Sequence, residues 1–111
     1  MVDENSIRRG EIYIVDLRPS RGGEIRKARP CLVVSPDELN KQLATFIVAP
    51  LTSGRHAYPF RVPCTFQGKS GHIVLDQIRT IDRERLLRRM GKLPTATMTK
   101  VLALLQEMFA P

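Results

Sequence analysis

Through most of its length the chain is written in short apolar runs that proline or glycine cuts off, and this punctuation limits what it can fold into. EIYIVDL at 11–17 sets Ile12, Ile14 and Val15 in a strand-like pattern before the turn formers Pro19, Ser20, Gly22 and Gly23. CLVVS at 31–35 is a continuous apolar run rich in branched residues, as expected of a strand buried on both faces. TFIVAPL at 45–51 predicts a third strand. Pro59 and Pro63 limit PFRVPC to a short edge strand, because proline cannot donate to a ladder, and FQGKSG predicts a hairpin turn. HIVLDQIRTI at 72–81 alternates Ile73 and Leu75 with Val74 and Ile78, a strand expected to bend near Asp76. IDRERLLRRMGKLP is too densely charged for a core helix and is stopped by Gly91, which predicts a helical turn and then a short strand.

Helix is expected in two places. Ser35, Pro36 and Asp37 stand in helix-opening order for one or two turns of SPDELNKQL. In TATMTKVLALLQEMF, Met98, Val101, Leu102, Leu105, Met108 and Phe109 fall on one face, with Thr95 or Thr97 as the cap. The pattern predicts a mainly β (α+β) chain, a small and strongly bent sheet, closed or partly closed, with a C-terminal α-helix over its open side.

With 111 residues the expectation is one domain spanning 1–111. The 42% hydrophobic and 26% charged content is that of a folded chain. Eighteen Lys and Arg against 11 Asp and Glu give a net charge of +7, which attracts a polyanion or an acidic partner. No apolar run approaches the roughly 20 residues of a membrane span, and MVDENSIRRG lacks a signal-peptide apolar region. A cytoplasmic protein with no membrane association is expected. Cys31 and Cys64 stand far apart without a CxxC pattern, and His56 and His72 are isolated, so both cysteines are expected in the core or on strands and no metal or other cofactor is expected.

GGEIRKARP at 22–30 crowds two glycines, one carboxylate and three cations before a proline. Four readings stay open on the residues alone: a solvated hairpin turn, a nucleic-acid contact loop, a protein docking loop, or part of an active site. Taken singly, Glu24 is a turn carboxylate paired with Arg26 or Lys27, and Thr52 and Ser53 are strand-ending hydroxyls that bond their own backbone. Arg21, Arg26, Lys27, Arg55 and Lys69 fall in expected loops, where cations track phosphates. Arg83, Arg85, Arg88 and Arg89 form the densest basic run, suited to an acidic partner. Tyr58 is the aromatic candidate for stacking on an unpaired base.

Arg9-Gly10-Glu11, Gly23-Glu24, Arg29-Pro30, Pro50 to Ser53, and Asp76-Gln77 followed by Arg79-Thr80-Ile81-Asp82 together resemble the MazF/PemK family of toxin endoribonucleases, nearly end to end. The resemblance implies a small SH3-like, CcdB-like β-barrel and a homodimer. It also implies metal-independent, sequence-selective cleavage of single-stranded RNA, with inhibition by an acidic antitoxin. The family's catalytic positions fall on Glu24, Arg29 and Thr52, and its substrate groove passes Asp76 and Gln77; Arg26, Lys27, Ser53, Tyr58 and Arg79 are the further substrate contacts expected around it. Some branches of the family carry Arg two residues before the Asp, where this chain has Val74, so the resemblance favours the Glu24, Arg29 and Thr52 set over a mechanism centred on Asp76. The alternative from a different class is a CcdB-like toxin that inhibits gyrase by protein contacts alone, since a shared fold does not fix function.

Overall fold

The computed structural model describes residues 7–25, 27–54 and 57–111. Arg26, Arg55 and His56 therefore lie outside the described residues. Seven strands form an antiparallel sheet: β1 (Glu11–Asp16), β2 (Ala28–Val33), β3 (Thr45–Ser53), β4 (Arg61–Phe66), β5 (Lys69–Val74), β6 (Arg79–Asp82) and β7 (Leu86–Lys92). A short helix α1 (Asp37–Asn40) joins β2 to β3, and α2 (Thr95–Met108) ends the chain. The strand order is β4-β5-β3-β2-β1-β7, with β6 on β3. The sheet is bent without a closed ladder, so the architecture is mainly β with a terminal helix, a partly closed relative of the expected barrel.

The bend originates in β3, whose two ends have different neighbours. Its first half, Thr45 to Val48, pairs with β6, and its last residues, Leu51 to Ser53, pair with β5. Across its other edge β3 pairs with β2, Cys31 opposite Pro50 and Val33 opposite Val48. Between β5 and β6 a 3-10 turn, Leu75–Gln77, makes the change of direction expected near Asp76. The β4–β5 hairpin closes on Gln67 and Gly68, both with positive φ (52° and 76°), the left-handed pair that a two-residue turn of the I′ kind requires.

Strand alternation sorts the core into two clusters. Ile12, Leu32, Ala49 and Leu51 point to one face of β1–β3, where they meet Ile73, Leu75, Leu93 and the helix residues Met98 and Val101. Tyr13, Val15, Cys31, Val33, Phe46 and Val48 point to the other, packed with Ile7, Leu17, Ile81 and Leu86. Burial on both faces accounts for the unbroken apolar character of CLVVS, since neither parity meets water.

Several expectations need correcting. Strand β2 begins at Ala28 and so includes Arg29 and Pro30, because Val15 and Asp16 of β1 continue to pair with them as far as Ala28. Strand β3 runs through Thr52 and Ser53, which pair with His72 and Gly71. The N-cap of α2 is Pro94, with no side-chain cap from Thr95 or Thr97. Phe109 lies one residue past the helix and is 69% exposed, whereas Met98 and Val101 carry the buried stripe. Cys31 is buried on β2 and Cys64 half-buried on β4, both free thiols.

Candidate active site

The loop from 17 to 27 links β1 to β2 and carries Glu24. Its base is closed by the Leu17 amide donating to the Lys27 carbonyl at 3.1 Å, with Lys27 itself in the left-handed region at φ 67°. Inside the loop, residues 21–24 make a tight turn: the Glu24 amide donates to the Arg21 carbonyl at 3.0 Å, and the Arg21 amide donates to Glu24 Oε1 at 2.6 Å. Glu24 is thus a turn carboxylate, but its bond is with the Arg21 backbone amide rather than with the Arg26 or Lys27 side chain that the sequence suggests.

Arg29 and Thr52 come together through the β2–β3 register. The β2–β3 ladder ends with Cys31 opposite Pro50, and Arg29 and Thr52 each lie two residues beyond that pair, on the side of their strands that alternation assigns to Cys31 and Pro50. Here β3 turns towards β5 and the strands part. The opening is a cleft of about 470 Å³ lined by Glu24, Ile25, Lys27, Arg29, Thr52 and Ser53. No carboxylate among the described residues forms a salt bridge with the Arg29 guanidinium, so its charge is not neutralised within the cleft.

Two further clefts extend this one. Through Glu24 and Ile25 it continues into a cleft of about 620 Å³ lined by Leu17, Gly23, Pro50, Asp76, Gln77, Ile78 and Arg79. Through Arg29, Thr52 and Ser53 it continues into a more apolar one of about 320 Å³, whose walls include Ile14, Pro30, Phe66 and Met90 and whose rim carries Lys69. Glu24 from the β1–β2 loop, Arg29 from β2 and Thr52 from β3 thus wall one furrow.

The other site candidates are distributed around it. Lys27 and Ser53 line the central cleft, and Asp76, Gln77 and Arg79 line the first extension. Asp76 is bound bidentately by Arg61, at 2.9 and 3.0 Å. Those hydrogen bonds hold its carboxyl below the usual carboxylate range. Its oxygens are committed to a cation, which suits an electrostatic role better than a proton-accepting one. Arg61 also lies 4.6 Å over the Tyr58 ring, and Tyr58 is not among the residues lining the three clefts. Gln77 spends both polar atoms on the Glu24 loop, accepting from the Ile25 amide at 2.9 Å and donating to the Gly23 carbonyl at 3.3 Å. Of the basic run, Arg89 pairs with Glu11 at 2.8 Å and Arg85 donates to the Asp16 carbonyl at 2.9 Å, so these two brace the fold.

Gly71 is a residue that the pattern of short runs hides, because KSG resembles the tail of a turn. It sits inside β5, where a Cβ would collide with the Thr52 carbonyl. The available signal was a lone glycine amid strand formers, which marks close backbone approach.

With this geometry in hand, comparison with known proteins settles the kinship. Residues 8–109 match the family described as PemK-like, MazF-like toxin of type II toxin-antitoxin system. The chain belongs to the PemK/MazF toxin family. It is 36% identical over 101 residues to the Endoribonuclease MazF of Staphylococcus epidermidis, covering 86% of this chain and 84% of that one. It is also 36% identical over 105 residues to Endoribonuclease MazF9 of Mycobacterium tuberculosis, covering 86% and 89%. The fold matches the crystal structure of MazF from Deinococcus radiodurans with a TM-score of 0.80 at 28% identity, over 92% of this chain and 94% of that one. A mycobacterial endoribonuclease in complex with its cognate antitoxin also matches with a TM-score of 0.80, at 27% identity over 96% and 98%. In this PemK/MazF chain no helix among the described residues is long and apolar enough to cross a membrane.

Proposed function

We propose that this PemK/MazF chain is the endoribonuclease toxin of a toxin–antitoxin pair, cutting single-stranded RNA within the furrow. The observation that carries the reading is the convergence of Glu24, Arg29 and Thr52 on one cleft. RNA holds its own nucleophile, the 2'-hydroxyl beside the scissile phosphate, so the protein must accept a proton, stabilise charge on the phosphorane and assist the leaving oxygen. Glu24 takes the 2'-hydroxyl proton. Arg29 binds two phosphate oxygens through its planar donor fork, a geometry a guanidinium fits better than an ammonium. Thr52 donates a hydrogen bond to the same phosphate. The 2'-oxygen bonds to phosphorus as the bond from phosphorus to the 5'-oxygen breaks. The departing oxygen takes a proton delivered through the Arg29 guanidinium, which regains it from solvent, leaving a 2',3'-cyclic phosphate and a 5'-hydroxyl. Lys27 and Arg79 draw the flanking phosphates into the furrow, and the whole acts in the cytoplasm as a homodimer. The endoribonuclease in complex with its cognate antitoxin among the structural relatives supports an antitoxin here, and the net charge of +7 suits an acidic one that covers the furrow.

The test is a defined single-stranded RNA incubated with purified protein in chelator. Wild-type protein is expected to yield the cyclic-phosphate and 5'-hydroxyl ends, and to leave an RNA with a 2'-deoxy sugar at the cut site intact. Arg29→Ala is expected to lose about 100-fold to 1000-fold in rate. Near wild-type cleavage by that variant would remove Arg29 from the mechanism. Intact RNA alongside gyrase inhibition would replace the enzyme with the CcdB-like alternative.

A further inference from the structure

A line of side chains from the segment after β5 reaches back to the β1–β2 loop and holds it at both ends. Gln77 closes on the backbone to either side of Glu24, accepting from the Ile25 amide at 2.9 Å and donating to the Gly23 carbonyl at 3.3 Å. A primary amide is well matched to this task, because it offers an acceptor and donors in one plane. The pairing imitates a sheet ladder where the loop has no strand beside it. At the loop's other end, Arg79 Nη1 donates to the Leu17 carbonyl at 3.3 Å. Arg85 Nη1 donates to the carbonyls of Asp16 and Arg18. Ser20 Oγ lies 2.7 Å from the Leu17 carbonyl and 3.2 Å from that of Ile25, tying the two ends together.

We propose that Gln77 is a positioning residue, whose amide clasps the backbone on both sides of Glu24 and sets the carboxylate against the Arg29 and Thr52 side of the furrow. The inference rests on the endoribonuclease reading and gives it a requirement: the loop must be locked before RNA arrives. It also reassigns Gln77, which the family resemblance places among substrate contacts. With one N–H and one carbonyl lone pair committed to backbone, the amide is held in a fixed orientation by the loop rather than free to swing towards a base edge. The 3-10 turn that carries Gln77 is continuous with β5, and β5 pairs with the end of β3 that holds Thr52. The clasp therefore refers Glu24 to the same strand that positions Thr52.

Two measurements on the intact protein test this. Amide exchange without RNA is expected to show the Ile25 amide protected in wild type and exposed in Gln77→Ala, while amides of β1 and β3 stay protected. Gln77→Glu, which keeps the acceptor and loses the donor, is expected to retain protection at Ile25. In cleavage, a catalytic group displaced by about 1 Å costs on the order of 100-fold. Gln77→Ala is accordingly expected to lose between about 10-fold and 100-fold in kcat with KM little changed, equally at every cut sequence. Unchanged Ile25 exchange in Gln77→Ala overturns the clasp. So does a shift in which sequences are cut while loop protection is preserved, which is the signature of base reading. A wild-type protein that cuts no RNA would sink the endoribonuclease reading instead, and the exchange result would still decide whether Gln77 holds the loop.

Discussion

A Cβ at position 71 would overlap the Thr52 carbonyl oxygen, and the obstacle is backbone, which cannot rotate away as a side chain would. Gly71→Ala must therefore push β5 from the end of β3, at a cost of about 1–3 kcal/mol, and move Thr52 with it. Gly68 offers a control, since nothing stands within contact distance of its Cβ position and only its positive φ resists substitution. Both alanine variants should lower the urea midpoint, but only Gly71→Ala should also slow RNA cleavage. Equal cleavage by the two would show that the β3–β5 contact does not position Thr52. Tyr13 permits a second prediction. Its hydroxyl is buried and donates to Glu11 Oε1 at 3.2 Å. Burial, and then the Glu11 charge, push it up to about 12. The folded state thus keeps a proton that the unfolded chain releases near its ordinary value of about 10. The associated stability is fully present below that value and is lost as pH rises through about 12. Two units of difference correspond to roughly 3 kcal/mol. Buried Cys31, also pushed up to about 12, adds to the same alkaline loss from a lower starting value. Denaturation midpoints followed from pH 8 upward should fall steeply in wild type and less steeply in Tyr13→Phe.

Elements were legible in the sequence wherever burial imposes a period, and illegible where a distant partner decides. Cys31 to Val33 announced a doubly buried strand, because both parities had to be apolar. The bend at Asp76 was legible as a polar pair interrupting an apolar alternation. The extension of β2 back to Arg29 was hidden, since ARP carries no strand propensity and is held extended by its pairing with Val15 and Asp16. The site was half legible for the same reason. Motif resemblance pointed to Glu24, Arg29 and Thr52, but the clasp of Gln77 and the close approach at Gly71 exist only after the chain returns on itself. The terminal helix shows the limit of a periodic stripe. Val101 is fully buried against the sheet, and Phe109, on the same expected face, lies beyond the last turn in solvent. Val101→Ala should cost about 2–3 kcal/mol from lost burial and the cavity left behind. Phe109→Ala should stay within about 0.5 kcal/mol of wild type for the monomeric fold. Comparable losses in the two would place Phe109 in an interface that the isolated chain does not show.

At the scale of the molecule, the +7 charge and the placement of its cations are what the proposed capture of RNA rests on. Several of the arginines are already engaged: Arg18 with Asp16, Arg61 with Asp76, and Arg89 with Glu11. These pairs subtract from the field that reaches solvent. Lys27 and Arg29 both line the furrow, and Lys69 stands at the rim of its apolar extension, so the positive potential runs along the path a phosphate backbone would take. Binding should weaken with salt as condensed counterions compete for the strand, with a log–log slope near −0.7 for each phosphate neutralised. Lys27→Gln should reduce that slope in magnitude by about 0.7, leaving sequence preference intact because a phosphate contact carries no base information. Lys41, the C-cap of α1, lines none of these clefts, and Lys41→Gln should leave the slope where it was. Titrating the proteins over a range of salt concentrations with an RNA that carries a 2'-deoxy sugar at the cut site, and so stays intact, compares the two lysines with Arg29 in place. If both variants flatten the dependence equally, the attraction comes from net charge alone and the furrow has no privileged part in capturing the strand.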